Sequence, residues 1–188
     1  MDARDRLISA TQELLWVRGY AATSPKEIQT SAGAGQGSMY HHFHGKEDLA
    51  VAALQRSARL LRDDSEALLQ APGTAVERLT SYLRQQRDSL RGCRMGRMTY
   101  DADVLATPAL LEPVTATLDW LVTAIAEVIR QGVEDRELQA DTDPEALACT
   151  VAAVVQGGYV LARAHHDTSR FDAAVEGAVA LLNQAHRG

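Results

Sequence analysis

Residues 23–49 decide the fold of this chain, and they read TSPKEIQTSAGAGQGSMYHHFHGKEDL. Ser24 is a good N-cap, because its side-chain oxygen can accept a hydrogen bond from a backbone N–H of the first helical turn. Pro25 then occupies the first helical position, where its missing N–H costs nothing, and Glu27 completes a capping box. Gly33 can adopt the left-handed conformation that ends a helix. The pattern predicts a short helix between Ser24 and Gly33.

A second short helix is predicted from about Gln36 to Phe43, and a third helix begins at Lys46. Two short helices joined by a turn of three or four residues containing glycine form a helix-turn-helix. The stretch is therefore predicted to be a helix-turn-helix, with the second helix entering the DNA major groove.

This stretch resembles the TetR-type transcriptional regulators over about the first quarter of the chain. The residues that carry the resemblance are Gly19-Tyr20, Thr23-Ser24, Glu27-Ile28, Ala32-Gly33, Gly37-Ser38-Met39-Tyr40-His41-His42-Phe43 and Lys46-Glu47-Asp48-Leu49. The resemblance implies an all-α protein with an N-terminal three-helix DNA-binding head and a C-terminal helical domain for ligand binding and dimerisation.

The chain departs from the family's pattern at three positions. Gln29 stands where a small alanine is usual, Gly35 where a serine or threonine cap is usual, and Gln36 where lysine or arginine is frequent. These positions concern the packing of the turn and the bases that are read.

Composition agrees with an all-helical chain, since alanine and leucine are abundant and β-branched runs are short. The net charge of −6 argues against non-specific nucleic-acid binding by the whole molecule but leaves room for a local basic face. No apolar run approaches the ~20 residues of a membrane span, and the N-terminus has no apolar signal core, so we expect a cytoplasmic protein without membrane contact. Cys93 and Cys149 are expected to be free thiols.

Apolar periodicity predicts about nine helices. The first spans about residues 3–18, and residues 1–48 are expected to form the helix-turn-helix domain, followed by a ligand-binding and dimerisation domain over residues 49–188. The helices after the motif are predicted at about 46–70, 74–91, 99–105, 108–133, 144–165 and 170–186.

The last two predicted helices carry wide apolar faces, which together with a second copy of the chain would form a four-helix bundle. The resemblance implies a homodimer. The alternative is that both faces are buried within one monomer. The predicted interface residues are Val151, Val155, Gly158, Ala162, Phe171, Val175, Val179 and Leu182.

The outward residues of the second motif helix are predicted to lie in the major groove. Gln36 carries both a donor and an acceptor, Ser38 can do either, and Gly37 lets the backbone lie close to DNA. His41 is a further candidate, or it is simply solvated.

The resemblance assigns Thr23, Tyr40, His42 and Lys46 to phosphates or to positioning, which suits a hydroxyl, a phenol, an imidazole and an ammonium. Ser24, beside Thr23, is included in the predicted DNA-binding set. Tyr40 has an alternative role as a packing residue.

A small-molecule effector is expected to bind in the C-terminal domain, although each lining candidate is also an ordinary core residue. The candidates are Tyr82, Met95, Met98, Tyr100, Val104, Leu111 and Trp120.

Enzyme chemistry is not expected, because no Ser/His/Asp set, metal-spaced cluster or phosphate loop appears, and no cofactor is implied. His41, His42 and His44 lack the i, i+4 spacing that places two imidazoles on one helix face, so no metal site is predicted. Cys93 is either a small core residue or a redox sensor whose pKa is lowered by Arg94 and Arg97.

The sequence therefore predicts a homodimeric repressor that binds a palindromic double-stranded operator and releases it when an unknown small molecule binds. The two heads should lie about 34–36 Å apart. The alternatives are an activator or a ligand-independent regulator of the same fold, and less favoured, a small helical enzyme or a scaffold protein. One or two dimers on each operator both remain open.

Overall fold

The computed structural model describes residues 2–185, and in this range the chain forms ten helices and no strands. The helices are α1 (Ala3–Arg18), α2 (Pro25–Ala32), α3 (Gln36–His42), α4 (Lys46–Leu69), α5 (Ala75–Arg84), α6 (Arg94–Met98), α7 (Ala102–Ala106), α8 (Pro108–Glu134), α9 (Pro144–His165) and α10 (Ser169–Ala185). The predicted all-α class is confirmed. The predicted end of the last helix at His186 lies outside the described residues.

The chain divides into two compact units. The first contains the residues up to Leu61 together with Arg94–Thr117, and the second contains Arg62–Cys93 and the residues from Leu118 onward. The short helices α6 and α7 thus belong to the same unit as the helix-turn-helix. The division of function at residue 48 remains a prediction.

The N-terminal three helices pack against one another around a small apolar core. α1 contacts both α2 and α3, and α2 contacts α3. Burial of these side chains supplies the main favourable free energy for holding three short helices that would not be stable alone. The buried side chains of this core are Leu7, Ile8, Leu15, Ile28, Met39, Phe43 and Leu49.

The capping box predicted at the start of α2 is present. The Ser24 side chain accepts the Glu27 N–H at 3.2 Å, while the Glu27 carboxylate accepts the Ser24 N–H at 2.9 Å. Gly33 ends α2 with φ at +57°, and its N–H donates to carbonyls of the preceding turn. These local interactions fix the beginning and the end of the first motif helix.

The predicted continuation of α5 to residue 91 is wrong, since the helix ends at Arg84. The Arg87 guanidinium folds back and donates to the backbone carbonyls of Tyr82, Leu83 and Gln85. The last carbonyls of a helix have no partner within it, so this side chain satisfies them and ends the helix early.

The single short helix predicted at 99–105 is also wrong, because two short helices take its place. α6 covers Arg94–Met98, and α7 begins after Asp101, whose side chain accepts the N–H groups of Asp103 and Val104. Asp101 therefore acts as an N-cap that starts a new helix.

α8 and α9 are long and apolar enough to cross a membrane by length and composition alone, which is weak support for a span. Both helices contribute to the protein core, since Ile125, Ile129, Val151 and Ala162 are buried.

α9 and α10 form an antiparallel pair, with the Tyr159 and Phe171 rings stacked at 4.9 Å between centroids. A Cβ added at Gly158 would lie 2.8 Å from the Phe171 ring, so glycine permits this close approach. All eight residues predicted to face a partner subunit are instead buried within this chain: Val151, Val155, Gly158, Ala162, Phe171, Val175, Val179 and Leu182.

The interface assignment is therefore corrected for six of these side chains, whereas Val151 and Leu182 also line the apolar groove described below. A helix with a wide apolar stripe can bury only part of it against one neighbour, and α10 covers this part of α9. The outer surface of the pair carries other apolar residues. Leu147, Val154, Ala178 and Leu181 line an apolar groove of about 100 Å³ between the two helices.

Candidate nucleic-acid interface

α3 presents its polar residues to solvent and its apolar residues to the core. Gln36 and Gly37 are exposed and Ser38 is half-buried, whereas Met39 and Phe43 are buried. The seven-residue helix is anchored by its inner side, and this leaves the predicted base-reading side chains on an accessible surface.

Two of the three departures from the family pattern have a visible structural consequence. Gln29 reaches across the turn, and its side-chain amide lies 3.4 Å from the Met39 sulfur, so it packs α2 against α3. Gly35 is the N-cap of α3 and provides no side-chain cap. The first N–H groups of α3 therefore receive no side-chain cap from Gly35, at the helix end that favours anions.

The predicted phosphate-binding side chains lie at the end of α3 and at the start of α4. Tyr40 is 51% exposed, and His41 and His42 are exposed beside it. The Lys46 ammonium lies 3.8 Å from the centre of the Tyr20 ring, a cation–π contact. Burial lowers the Lys46 pKa, although the nearby Asp103 and Asp101 carboxylates counteract this effect.

Thr23 and Ser24 have structural roles in this conformation, which agree with a positioning role, and their part in DNA binding stays a prediction. Thr23 is only 2% exposed, and its hydroxyl donates to the Gly19 carbonyl at 2.7 Å. The Ser24 hydroxyl is engaged with Glu27 in the capping box. Both hydroxyls are occupied in fixing the turn before α2, because this turn needs its polar groups paired.

Sequence reasoning missed the contacts of Arg94 and Arg97, which it considered only as neighbours of Cys93. The Arg94 guanidinium lies 3.8 Å from the centre of the Trp16 ring and 3.6 Å from a Glu13 carboxylate oxygen. Arg97 donates to the Val17 carbonyl at 3.2 Å. Both arginines therefore attach α6 to the C-terminal half of α1.

These contacts involve Trp16 and bear on the earlier hypothesis about Cys93. Trp16 is half-buried, and its ring is covered by Arg94, so the ring packs within the first unit. The hypothesis that Cys93 is a redox sensor relied on the same arginines, whose charged groups contact α1.

The seven predicted effector-lining residues do not gather in one compact unit. Five lie in the first unit, and Tyr82 and Trp120 lie in the second. Tyr100 is 80% exposed in the turn between α6 and α7, which corrects its placement in an apolar wall. The other four residues in the first unit are Met95, Met98 and Val104, which are buried, and Leu111, which is half-buried.

A groove of about 410 Å³ lies between α5 and α10 in the second unit. It combines apolar walls with charged side chains, including an Arg84–Glu176 ion pair at 2.6 Å. None of the seven predicted residues lines it. The lining residues are Leu83, Arg84, Gln85, Gln86, Arg87, Ser89, Thr168, Phe171, Asp172, Val175 and Glu176.

These features define a helix-turn-helix DNA-binding protein. They are the capped α2, the glycine turn, and an α3 whose polar side is exposed while Met39 and Phe43 anchor its other side in the core. The chain belongs to the TetR family of bacterial regulatory proteins: the family model "Bacterial regulatory proteins, tetR family" matches residues 7–53, and the model "Tetracyclin repressor-like, C-terminal domain" matches residues 73–178. The predicted family is confirmed, and the protein is a DNA-binding transcriptional regulator.

Individual relatives agree with this assignment. The transcriptional repressor KstR2 of Mycolicibacterium smegmatis is 32% identical over 147 residues, covering 74% of this chain and 69% of the relative. The crystal structure of a TetR-family regulator from Cytophaga hutchinsonii superimposes with a TM-score of 0.88 at 25% identity, covering 98% of this chain and 95% of that one. The regulator CifR, as a cysteine variant bound to 26-base-pair operator DNA, gives a TM-score of 0.79 at 26% identity and coverages of 93% and 94%.

Proposed function

We propose that the protein is a homodimeric, ligand-responsive repressor that binds a palindromic operator and releases it when a small molecule occupies the C-terminal domain. It acts in the cytoplasm, as a regulator and not as an enzyme. The observation that carries the proposal is the exposed polar surface of α3 above a buried Met39 and Phe43.

In this proposal α3 reads bases in the major groove. Gln36 is suited to bidentate pairing with adenine, because its amide has a donor and an acceptor. Ser38 adds a hydroxyl, and Gly37 lets the backbone lie close to the DNA, since its Cβ position meets no atom within 4 Å other than those of its chain neighbours and its own helix backbone. His41 is exposed at the end of the same helix.

Phosphate contacts come from Tyr40, His42 and Lys46, which flank that surface. Such contacts set the register of the protein on the duplex and carry no direct sequence information. Thr23 and Ser24 contribute through the turn that they stabilise and through the α2 N-terminus, whose dipole attracts a phosphate.

A second copy of the chain is the proposed partner of the outer face of α9 and α10. Val154, Ala178 and Leu181 form an apolar strip there, and Leu181 is 65% exposed. A monomer would leave this strip in water, whereas pairing with its symmetry mate buries it and supplies the second head that a palindrome requires.

Release by an effector requires two conformations with different DNA affinity. A coupling of about 1–3 kcal/mol between effector and operator is sufficient, and each ligand must weaken the other by the same factor. Met95, Met98, Val104, Leu111, Tyr82 and Trp120 remain candidates for effector contacts.

The first test is DNA binding across a salt series. Duplexes selected by the protein from a random pool should bind far more tightly than the unselected pool, with log affinity falling linearly as log salt rises. Tyr40→Ala should weaken selected and random DNA by similar factors, while Gln36→Ala should change the selected sequence.

Two results would contradict this proposal. Absence of any selected sequence at low salt would remove DNA recognition by this head. An unchanged preference in Gln36→Ala, with Ser38→Ala altering it instead, would transfer base reading from Gln36 to Ser38.

A further inference from the structure

We infer that Asp101 is a positioning residue for DNA recognition, because its carboxylate ties α7 to the turn that begins the helix-turn-helix. One carboxylate oxygen accepts the backbone N–H groups of Tyr20 at 2.6 Å and Ala21 at 3.0 Å. The other accepts those of Asp103 at 3.2 Å and Val104 at 3.4 Å. The inference rests on the proposed function.

The two oxygens have separate tasks. One caps α7, and the other holds a backbone segment about 80 residues away in sequence. A carboxylate suits this arrangement, because it is the side chain with two acceptor oxygens and no donor, and its bonds to N–H groups are charge-assisted. The four bonds form a bridge between α7 and the α1–α2 turn.

Gly19 makes room for the bridge. A Cβ added at Gly19 would lie 2.8 Å from an Asp101 carboxylate oxygen, and the residue has φ at +87°. The same glycine ends α1, its N–H donating to the Leu15 carbonyl at 2.9 Å. A glycine that the family resemblance marks as characteristic thus acquires a physical role in this chain.

The held turn leads directly to groups that the proposed function uses. Thr23 bonds to both ends of the turn, through its hydroxyl to Gly19 and through its N–H to Tyr20, and Ser24 follows as the N-cap of α2. Tyr20 also carries the ring on which the Lys46 ammonium lies. Asp101 therefore helps to set the start of α2 and the position of a phosphate-binding side chain at the start of α4.

The bridge also gives α7 a route to the head that does not pass along α4. α6 and α7 are held against α1 by Arg94 and Arg97 as well, so the segment is attached at three points. A displacement of α7 would pull directly on the turn before α2.

Asp101→Asn separates the two tasks. Asparagine is a good N-cap, so α7 stays capped, but its single carbonyl oxygen cannot also serve the turn. Asp103→Asn is the matched control, since it removes the same charge from the same helix start and leaves the bridge intact. Asp143→Asn, at the N-cap of α9, controls for altering a capping aspartate elsewhere.

The four proteins should be compared in binding to duplexes selected by the wild type and to random duplexes, across a salt series, with amide hydrogen exchange at Tyr20 and Ala21. In Asp101→Asn we expect affinity for selected DNA to fall about tenfold at every salt concentration, because the charge-assisted hydrogen bonds to the turn are lost. The salt slope should stay the same, and random DNA should lose affinity by a similar factor, because the groups that Asp101 positions contact phosphates. The two amides should exchange at least several-fold faster.

Asp103→Asn should bind selected DNA as tightly as the wild type or slightly more tightly, since a negative charge near Lys46 is gone. Equal weakening by Asp101→Asn and Asp103→Asn would overturn the inference, as would unchanged binding in Asp101→Asn. If Asp101→Asn folds poorly, Asp101→Ser provides a second capping side chain with one oxygen. If the wild type selects no sequence, the proposed function fails, and unchanged amide exchange in Asp101→Asn would then overturn the bridge separately.

Discussion

The pairs α2–α3 and α9–α10 are built with the same local device and present opposite surfaces. In each pair the first helix ends at a residue in the left-handed conformation, Gly33 with φ at +57° and His166 with φ at +51°. The N–H of each donates back to carbonyls of the last helical turn. The chain then reverses and begins the next helix within a few residues.

The difference lies in what remains exposed after the two helices pack. α3 leaves polar side chains and a glycine on its outer surface, whereas α9 and α10 leave Val154, Ala178 and Leu181. Local turn chemistry therefore specifies a helix pair, and the residues left outside specify its partner. A polyanion suits the first surface and an apolar protein surface suits the second.

The largest effect should come from charging the inside of the second pair. Val155→Glu places a carboxylate at a buried position, and we expect the free energy of unfolding to fall by at least about 4 kcal/mol. Thermal melts followed by circular dichroism will measure it. Ala153→Glu, at an exposed position of α9, should stay folded, and a folded Val155→Glu monomer would return Val155 to the subunit interface.

Charging the outside of the same pair should preserve folding and abolish association. We expect Leu181→Glu to raise the dimer dissociation constant at least about a hundredfold, because an unpaired carboxylate would be buried on association. Sedimentation velocity gives the mass, and affinity for a palindrome should fall much more than affinity for a half-site. Asn183→Glu, on the other side of α10, should remain dimeric. A dimeric Leu181→Glu would place the interface elsewhere.

Gly33 and His166 both have a left-handed backbone conformation. Substituting each one tests whether the two turns respond in the same way to the presence of a side chain. Gly33→Ala should lower stability by about 1–2 kcal/mol, because a Cβ is strained at this φ. His166→Gly relieves such strain and should raise stability by about 0.5 kcal/mol after the entropy of the more flexible unfolded chain is subtracted. Urea denaturation measures both changes in stability. If His166→Gly lost as much stability as Gly33→Ala, the side-chain contacts of His166 would outweigh the strain of its backbone conformation.

A further effect should appear at alkaline pH in the unit that contains α9. Burial raises the pKa of Tyr82 and of Tyr159 above the ordinary tyrosine value, which is about 10. The unfolded chain then loses these protons first, so their contribution is intact below about pH 10 and is lost above it. The free energy of unfolding should fall by about 0.8 kcal/mol for each tyrosine between pH 8 and pH 10.5, and thermal melts at each pH will measure the accompanying drop in melting temperature. The stability of Tyr159→Phe should fall less over this pH range. A fall equal to that of the wild type would assign the effect to other groups.

The N-terminal motif was readable from sequence because its determinants lie within a few residues of one another. The capping boxes Ser24–Glu27 and Thr74–Glu77 are both formed, and each needs only residues three positions apart. The glycine end of α2 is equally local. For the same reason the prediction placed the polar face of α3 outward correctly.

Prediction failed where a side chain bonds to a carbonyl or N–H that no pattern designates. Arg87 ends α5 by folding back on three carbonyls, and nothing in helical periodicity marks an arginine for this task. The sequence predicts that Asp101 lies inside a helix at about 99–105, whereas it is the N-cap of α7 and its second pair of partners lies near residue 20.

By itself the sequence determined the helix-turn-helix, its caps, the family and the helical class, since these depend on short-range hydrogen bonds and on apolar periodicity. Periodicity shows that a helix has an apolar face but does not say which element covers it. Only the tertiary structure decided that the Val155 side of α9 is covered by α10 and that the Leu181 side of α10 stays outside. It alone paired Asp101 with the turn before α2, because contacts between residues distant in sequence depend on the path of the whole chain.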